Sequence, residues 1–553
     1  MIFRNKDLSA APTVLKITDL TVRLTDRPEA APVLDRISLE IRAGETACLV
    51  GESGSGKSVT SLAVMGLLQK SALVVEGGEI ALAGQDLLRF SPSQLREYRA
   101  RKMSMIFQEP MTALNPVLRV GAQIEEVLTT HLGLPALECR ARVQEIMEQV
   151  HLPDIDRVYR AFPHQLSGGQ RQRIMIAMAL VLEPKLLIAD EPTTALDVTT
   201  QKQILRLISE LQEKHGTAVL FITHDMGVVA EIADTVHVIR HGEMVETAPT
   251  ETLLRLPREA YTQALLKSVP SLRPRVARPV PEGEAALSVK NLVKFYGTRR
   301  AFGKTPGAMA AGDVSFDVAR GRTLGIVGES GSGKSTVARC IMRLVDPTSG
   351  SIKVTQTEIS TLTARQLRPL RKHVQIIFQD PFRSLNPRWK IGRSLVEGPL
   401  NGGVPKEEAY RRAAELLLLV GLPADAIERY PHQFSGGQRQ RIAIARAVAM
   451  EPDVLVADEA VSALDVSVQA QVLALLDELQ EKLGVAILFI THDLRVAAQI
   501  CDDVLVMQRG KVVEYGSAAQ VLAHPQHDYT RSLIEAAPAR LWDFAKNAEL
   551  ATS

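Results

Sequence analysis

The octapeptide GESGSGKS occurs twice in this chain, at 51–58 and again at 328–335. Three further landmarks recur in the same order: SGGQRQRI at 167–174 and 435–442, ADE at 189–191 and 457–459, and THD at 223–225 and 491–493. Each of these is displaced by 268 residues, whereas Lys57 and Lys334 of the octapeptides stand 277 apart. A repeat this long is a duplicated domain, not a solenoid unit. A chain of 553 residues has room for two such domains, each with its own core. The shrinking offset places a few extra loop residues in the first copy, between its first and second landmarks. The stretch 268–286, SVPSLRPRVARPVPEGEAA, is proline-rich and charged and reads as an extended linker. The expected organisation is a first domain at 1–267, a linker at 268–286, a second domain at 287–537 and a tail at 538–553.

Each octapeptide follows a short apolar run, TACLV or TLGIV, and precedes a helical pattern, SVTSLAVMGLL or STVARCIMRLV. A strand, a GxxxxGK[ST] loop and a helix together make a phosphate site. Gly51, Gly54 and Gly56 let the backbone curl with its amides pointing inward, alongside Glu52, Ser53 and Ser55. Lys57 is expected to reach the outer phosphates and Ser58 to offer a hydroxyl to a divalent cation. Gly328, Glu329, Ser330, Gly331, Ser332, Gly333, Lys334, Ser335 and Thr336 repeat the arrangement. A glycine-rich turn capping a helix would explain one such loop; two identical copies in matching context favour the phosphate.

LLIADE and VLVADE are apolar runs ending in paired acids. Continuous apolarity suits a parallel strand covered on both faces, with Asp190 and Asp458 at the carboxyl end where ligands bind. One acid would order Mg²⁺ and its waters. The next, Glu191 or Glu459, would polarise an attacking water. A solvated turn after a buried strand is the plainer alternative. His224 and His492 follow another apolar strand and read either as structural histidines or as contacts to a γ-phosphate. Gln108 and Gln379, in IFQEP and IFQDP, read either as strand-end ligands near metal and water or as plain loop residues.

Ser167, Gly168, Gly169 and Gln170, with Ser435, Gly436, Gly437 and Gln438, open two further helices. A serine there is an N-cap, and an exposed N-terminus with two glycines is also an anion site. Taken together, these motifs resemble the ATP-binding cassette family over residues 14–265 and 287–535. The resemblance implies an α/β fold of two P-loop NTPase domains, each a mainly parallel sheet core with an antiparallel β subdomain and a helical subdomain. It implies ATP and Mg²⁺ as ligands, with Ser58, Gln108 and Asp190 near one metal and Ser335, Gln379 and Asp458 near the other. Glu191 and Glu459 become the catalytic glutamates, His224 and His492 the switch histidines, and ALD at 195–197 and 463–465 the D-loops. It also implies that the cassettes pack head to tail, one ATP using Lys57 with Ser435 and the other Lys334 with Ser167. The adenine-stacking aromatic is Tyr296 in the second copy, while Leu24 takes that place in the first. DEPTTALD becomes DEAVSALD in the second copy, with Ala460 replacing Pro192, a replacement expected to alter backbone stiffness and not chemistry.

FQEPMTALNP, FQDPFRSLNP and the tails PREAYTQALLKSVP and HPQHDYTRSLIEAAP resemble the oligopeptide/dipeptide/glutathione importer branch. A capped amphipathic helix on its own domain would also account for each tail. The resemblance implies an ATPase subunit at the cytoplasmic face of a bacterial inner membrane, two integral-membrane permeases, and an external substrate-binding protein. A tandem cassette acting on ribosomes or nucleic acid is the alternative. The proline-rich linker and a net charge of +2 argue against nucleic acid as partner. The start of the chain has no apolar stretch suited to a signal peptide, and no run of about 18 apolar residues occurs, so a soluble chain is expected. Four scattered cysteines without a CxxC pair give no zinc or iron–sulfur pattern and fit a reducing compartment.

Overall fold

The computed structural model describes residues 6, 8–27, 29–108, 113–194, 196–281, 283–297, 307–462, 464–538, 542 and 544. Ala195 and Ala463 of the expected D-loops, 109–112 of the first FQEP segment, and most of the tail after 538 lie outside them. Contacts divide the chain into two compact units, one built mainly on Met1–Leu196 and Thr200–Val269, the other mainly on Pro270–Arg540.

Among the described residues the first unit has ten strands: β1 (Thr13–Leu24), β2 (Leu34–Arg42), β3 (Thr46–Val50), β4 (Leu73–Leu82), β5 (Gln85–Asp86), β6 (Met103–Ile106), β7 (Leu186–Asp190), β8 (Ala218–Thr223), β9 (Thr235–Arg240) and β10 (Glu243–Pro249). The second repeats them: β11 (Leu287–Tyr296), β12 (Ala308–Val318), β13 (Thr323–Val327), β14 (Ser349–Val354), β15 (Thr357–Glu358), β16 (Val374–Ile377), β17 (Val454–Asp458), β18 (Ala486–Thr491), β19 (Asp503–Gln508) and β20 (Lys511–Ser517). In each unit six strands form one sheet, in the order β10-β9-β3-β8-β7-β6 and its counterpart β20-β19-β13-β18-β17-β16. All neighbours in these sheets are parallel except the last hairpin. A four-stranded antiparallel sheet, β2-β1-β4-β5 or β12-β11-β14-β15, accompanies each. Helices Val120–Leu132 and Ala136–Gln149, or Ile391–Asn401 and Lys406–Leu419, supply the helical part. The α/β fold class expected from the motifs is the observed one.

Alternation along the central strands shows why they are apolar without a break. In the second unit Val454 and Val456 of β17, with Leu488 and Ile490 of β18, face a core shared with the antiparallel sheet and helix Lys334–Ile341. Leu455, Ala457, Ile487 and Phe489 face a second core, shared with the helical part. A strand buried on both faces has no position for a polar side chain until it ends. It ends at Asp190 or Asp458, so the carboxylates sit at the rim.

The longer first copy is visible in β4, which has ten residues against six in β14. Part of the linker is docked on the second unit. Arg275 donates its backbone N–H to Ala498 O (2.9 Å), and its guanidinium meets Asp477 at 2.8 Å. Arg278 donates its N–H to Asp502 Oδ1 (2.9 Å) and a guanidinium N–H to Asp477 (2.7 Å). Asp502 is fully buried and also accepts the Thr323 amide at 2.8 Å. A buried carboxylate needs such donors, so the charged residues of the extended linker hold it against the second unit. Between 270 and 286 trypsin has one open bond, Arg275–Val276, because Arg273 and Arg278 precede prolines. Asp477→Ala is expected to speed cutting at that bond several-fold in native protein, read as fragment yield over time. An unchanged rate would show that this clasp does not hold the segment.

Candidate functional site

Each phosphate loop connects the fully buried β3 or β13 to helix Lys57–Val64 or Lys334–Ile341. Gly56 and Gly333 cap these helices with φ of 107° and 106°, a backbone region that favours glycine. A Cβ on Gly51 would stand 2.1 Å from Ile239 O, and one on Gly328 2.3 Å from Met507 O. Lys57 and Lys334 are buried, and each ammonium donates to the first two carbonyls of its loop: Gly51 and Glu52 at 2.8 Å, Gly328 at 2.7 Å and Glu329 at 2.9 Å. The hydroxyls of Ser55 and Ser332 are buried, with no hydrogen-bond partner among the described residues. Orphaned donors in a glycine-walled cradle beside a buried cation fit a phosphate chain. Gly54 and Gly331 lie at the loop tips with open space around them. Thr336 stands in the first turn of its helix, where Val59 is its counterpart.

The carboxylates meet the loops. Ser58 donates to Asp190 Oδ1 at 3.3 Å, and Ser335 to Asp458 Oδ1 at 3.1 Å. Ser61 adds a longer contact to Asp190 Oδ2 at 3.5 Å, which the motif reading missed. Burial raises both aspartates above the usual carboxylate range despite these hydroxyls. A cation beside them would relieve that cost. Glu191 and Glu459 take left-handed backbone, φ 46° and 49°, and donate their N–H groups to Ile222 O and Ile490 O. Few non-glycine residues sit there, and the turn sends the glutamate elsewhere than its neighbouring aspartate.

Glu191 accepts from Gln108 Nε2 (3.0 Å) and Thr194 Oγ1 (2.9 Å) and pairs with His224 Nδ1 (3.1 Å). Burial alone would raise its carboxyl. The hydrogen bond and charge of His224, followed by Thr194, outweigh burial and hold it at about 2. Burial pulls the His224 imidazole down, and Glu191 raises it by more. Glu459 accepts from Gln379 Nε2 at 2.8 Å, and His492 Nδ1 lies 3.7 Å from its carboxylate. Its carboxyl also stays below the ordinary range, His492 overcoming the effect of burial. The two adjacent acids of each unit are therefore driven in opposite directions, aspartate up and glutamate down.

The second copy differs at one donor to its glutamate. Thr194 is replaced by Ser462, whose hydroxyl donates to the backbone O of Glu459 (3.0 Å) and not to its carboxylate. Glu459 thereby lacks the hydroxyl donor that Glu191 has, and its histidine lies farther off, at 3.7 Å against 3.1 Å.

Ser167 and Ser435 cap helices Gly168–Leu180 and Gly436–Val448 with reciprocal bonds to Gln170 and Gln438. Both serines are exposed. A Cβ on Gly169 or Gly437 would collide with Thr200 or Val468, so the second glycine serves packing, whereas the first has open room. Tyr296 ends β11 half-exposed, with Lys294 Nζ 5.2 Å from its ring centroid; Leu24 ends β1 in the same way. Two further residues lie outside the motifs: Tyr261 and Tyr529, whose hydroxyls accept the amides of Glu52 (3.2 Å) and Glu329 (3.1 Å). Their signal was the shared YT of the two tails, 268 residues apart.

Comparison with known proteins bears on the whole chain. The ABC transporter family model matches residues 34–194 and 311–462. The model of the oligopeptide/dipeptide transporter C-terminal region matches 245–303 and 513–545. The chain is 46% identical to GsiA, the glutathione import ATP-binding protein of Salmonella typhimurium, over 95% of this chain and 89% of that one. It is 45% identical to its namesake in Escherichia coli O157:H7, over 96% and 90%. A bacterial ABC transporter cassette solved as a dimer is 29% identical, covers 42% of this chain and 98% of that one, and superposes with a TM-score of 0.38. With both family segments falling on the loop-and-carboxylate clusters, and relatives matched nearly end to end, the chain belongs to the ABC transporter family, as a tandem ATP-binding cassette ATPase.

Proposed function

We propose that this chain is the ATP-hydrolysing, energy-coupling subunit of a bacterial importer for peptides or peptide-like small molecules such as glutathione. It would work at the cytoplasmic face of the inner membrane, with two integral-membrane permeases and an external substrate-binding protein. Among the described residues no helix is long and apolar enough to cross a membrane, so the passage itself would lie in partner chains. The observation that carries the reading is the doubled set of phosphate loop, strand-end aspartate bonded to the loop serine and histidine-held glutamate, followed in both copies by a match to the C-terminal region of oligopeptide and dipeptide transporters. Similarity to GsiA supports glutathione within that class.

In this reading each loop wraps the phosphates, with Lys57 or Lys334 opposing their charge. Ser58, Asp190 and Gln108 would hold Mg²⁺ in the first unit, and Ser335, Asp458 and Gln379 in the second; the ion would offset phosphate charge. Glu191 and Glu459 orient and polarise the attacking water, while His224 and His492 anchor the glutamate side chains. The pairing keeps each glutamate ionised but lowers its basicity. Loosening of that pair as the γ-phosphate arrives would free the carboxylate to take a proton. Ser167 and Ser435 present exposed helix N-termini to nucleotide, and Tyr296 offers a ring to adenine. Affinity purification of the tagged chain from membranes tests the partners. Two integral membrane proteins should co-purify, and ribosome co-sedimentation without them would overturn the reading.

A further inference from the structure

The tail after each unit's last hairpin is fixed in the same way in both copies. Glu246 of β10 accepts the amides of Arg258 (2.9 Å) and Glu259 (3.2 Å); Glu514 of β20 accepts those of Gln526 (2.8 Å) and His527 (3.2 Å). These clamps fix where helices Ala260–Lys267 and Asp528–Ala536 begin. The second residue of each helix is a tyrosine, Tyr261 or Tyr529, and its hydroxyl accepts the amide of Glu52 or Glu329. That amide belongs to the peptide group whose carbonyl, on Gly51 or Gly328, accepts from Lys57 (2.8 Å) or Lys334 (2.7 Å). In a trans peptide the C=O and N–H point opposite ways. The first peptide plane of each loop is thus pinned at both ends, by the lysine on one side and the tail phenol on the other. The Arg240 guanidinium covers the Tyr261 ring at 4.7 Å, and Tyr529 is 8% exposed, so neither ring is free to swing away.

We propose that Tyr261 and Tyr529 are positioning residues for nucleotide binding: each tail phenol holds the first loop peptide so that the lysine meets the phosphates from a fixed anchor. This rests on the loops binding ATP, as proposed above. Without the hydroxyl, the amide has to find water and the plane can rotate, and part of the binding free energy is spent restoring it.

The test is the full-length chain carrying Tyr261→Phe and Tyr529→Phe, which keeps both rings and removes only the hydroxyls. The KM for ATP, and the Kd measured directly, are expected to rise roughly 3- to 10-fold, the scale of one neutral hydrogen bond. Turnover at saturating ATP should stay within about twofold, the pattern of lost uniform binding. Unchanged KM and Kd would overturn the inference and leave the ATPase reading intact. A fall in melting temperature and kcat with KM unchanged would also overturn it, since it marks a role in folding alone. A parent chain that binds no ATP would overturn the ATPase reading and this inference with it.

Discussion

A chain carrying Glu191→Gln and Glu459→Gln together is expected to bind ATP as the parent does and to hydrolyse it roughly 10²-fold or more slowly. That is about 3 kcal/mol of barrier, the usual scale for removing a general base. Glutamine fills the same volume and keeps an oxygen to accept from Gln108 or Gln379, but it carries no charge for the histidine and takes no proton from water. Removing one glutamate leaves the other unit intact, so only the double substitution isolates the chemistry. Steady-state phosphate release beside equilibrium ATP binding reads both halves of the expectation. Parent-like turnover in the double variant would remove the glutamates from the mechanism.

Lys57→Ala with Lys334→Ala is expected to act one step earlier, weakening ATP binding on the order of 10²-fold, or about 3 kcal/mol, the upper range for a hydrogen bond to a charged group. Both ammonium groups are buried and held by loop carbonyls, so they are organised before any ligand arrives. The substitution strips four loop carbonyls of donors as well as removing the charge facing the phosphates. Equilibrium binding of labelled ATP measures the loss, and an affinity within threefold of the parent would contradict it.

Much of this was legible in the sequence because the relevant physics is local. A strand buried on both faces has to be apolar until it ends, so LLIAD and VLVAD announced both the sheet and the rim carboxylates. The loop glycines, the lysine and the serine lie within eight residues of one another and recur unchanged. What escaped depends on distant pairings or on one hydroxyl. Tyr261 meets Glu52 across 209 residues, and Tyr529 meets Glu329 across 200, so only the folded chain brings the tail to the loop. Composition does not show that the linker is docked, because Asp477 and Asp502, which hold Arg275 and Arg278, come about 200 residues later. Threonine at 194 and serine at 462 differ by one methyl group, yet the two hydroxyls choose different acceptors.

Counting bound nucleotide is the most direct measurement of all. Full-length protein carrying Glu191→Gln and Glu459→Gln, equilibrated with saturating Mg²⁺ and labelled ATP, should hold two ATP molecules per chain, one for each loop-and-carboxylate set. One nucleotide per chain, or none, would contradict the account.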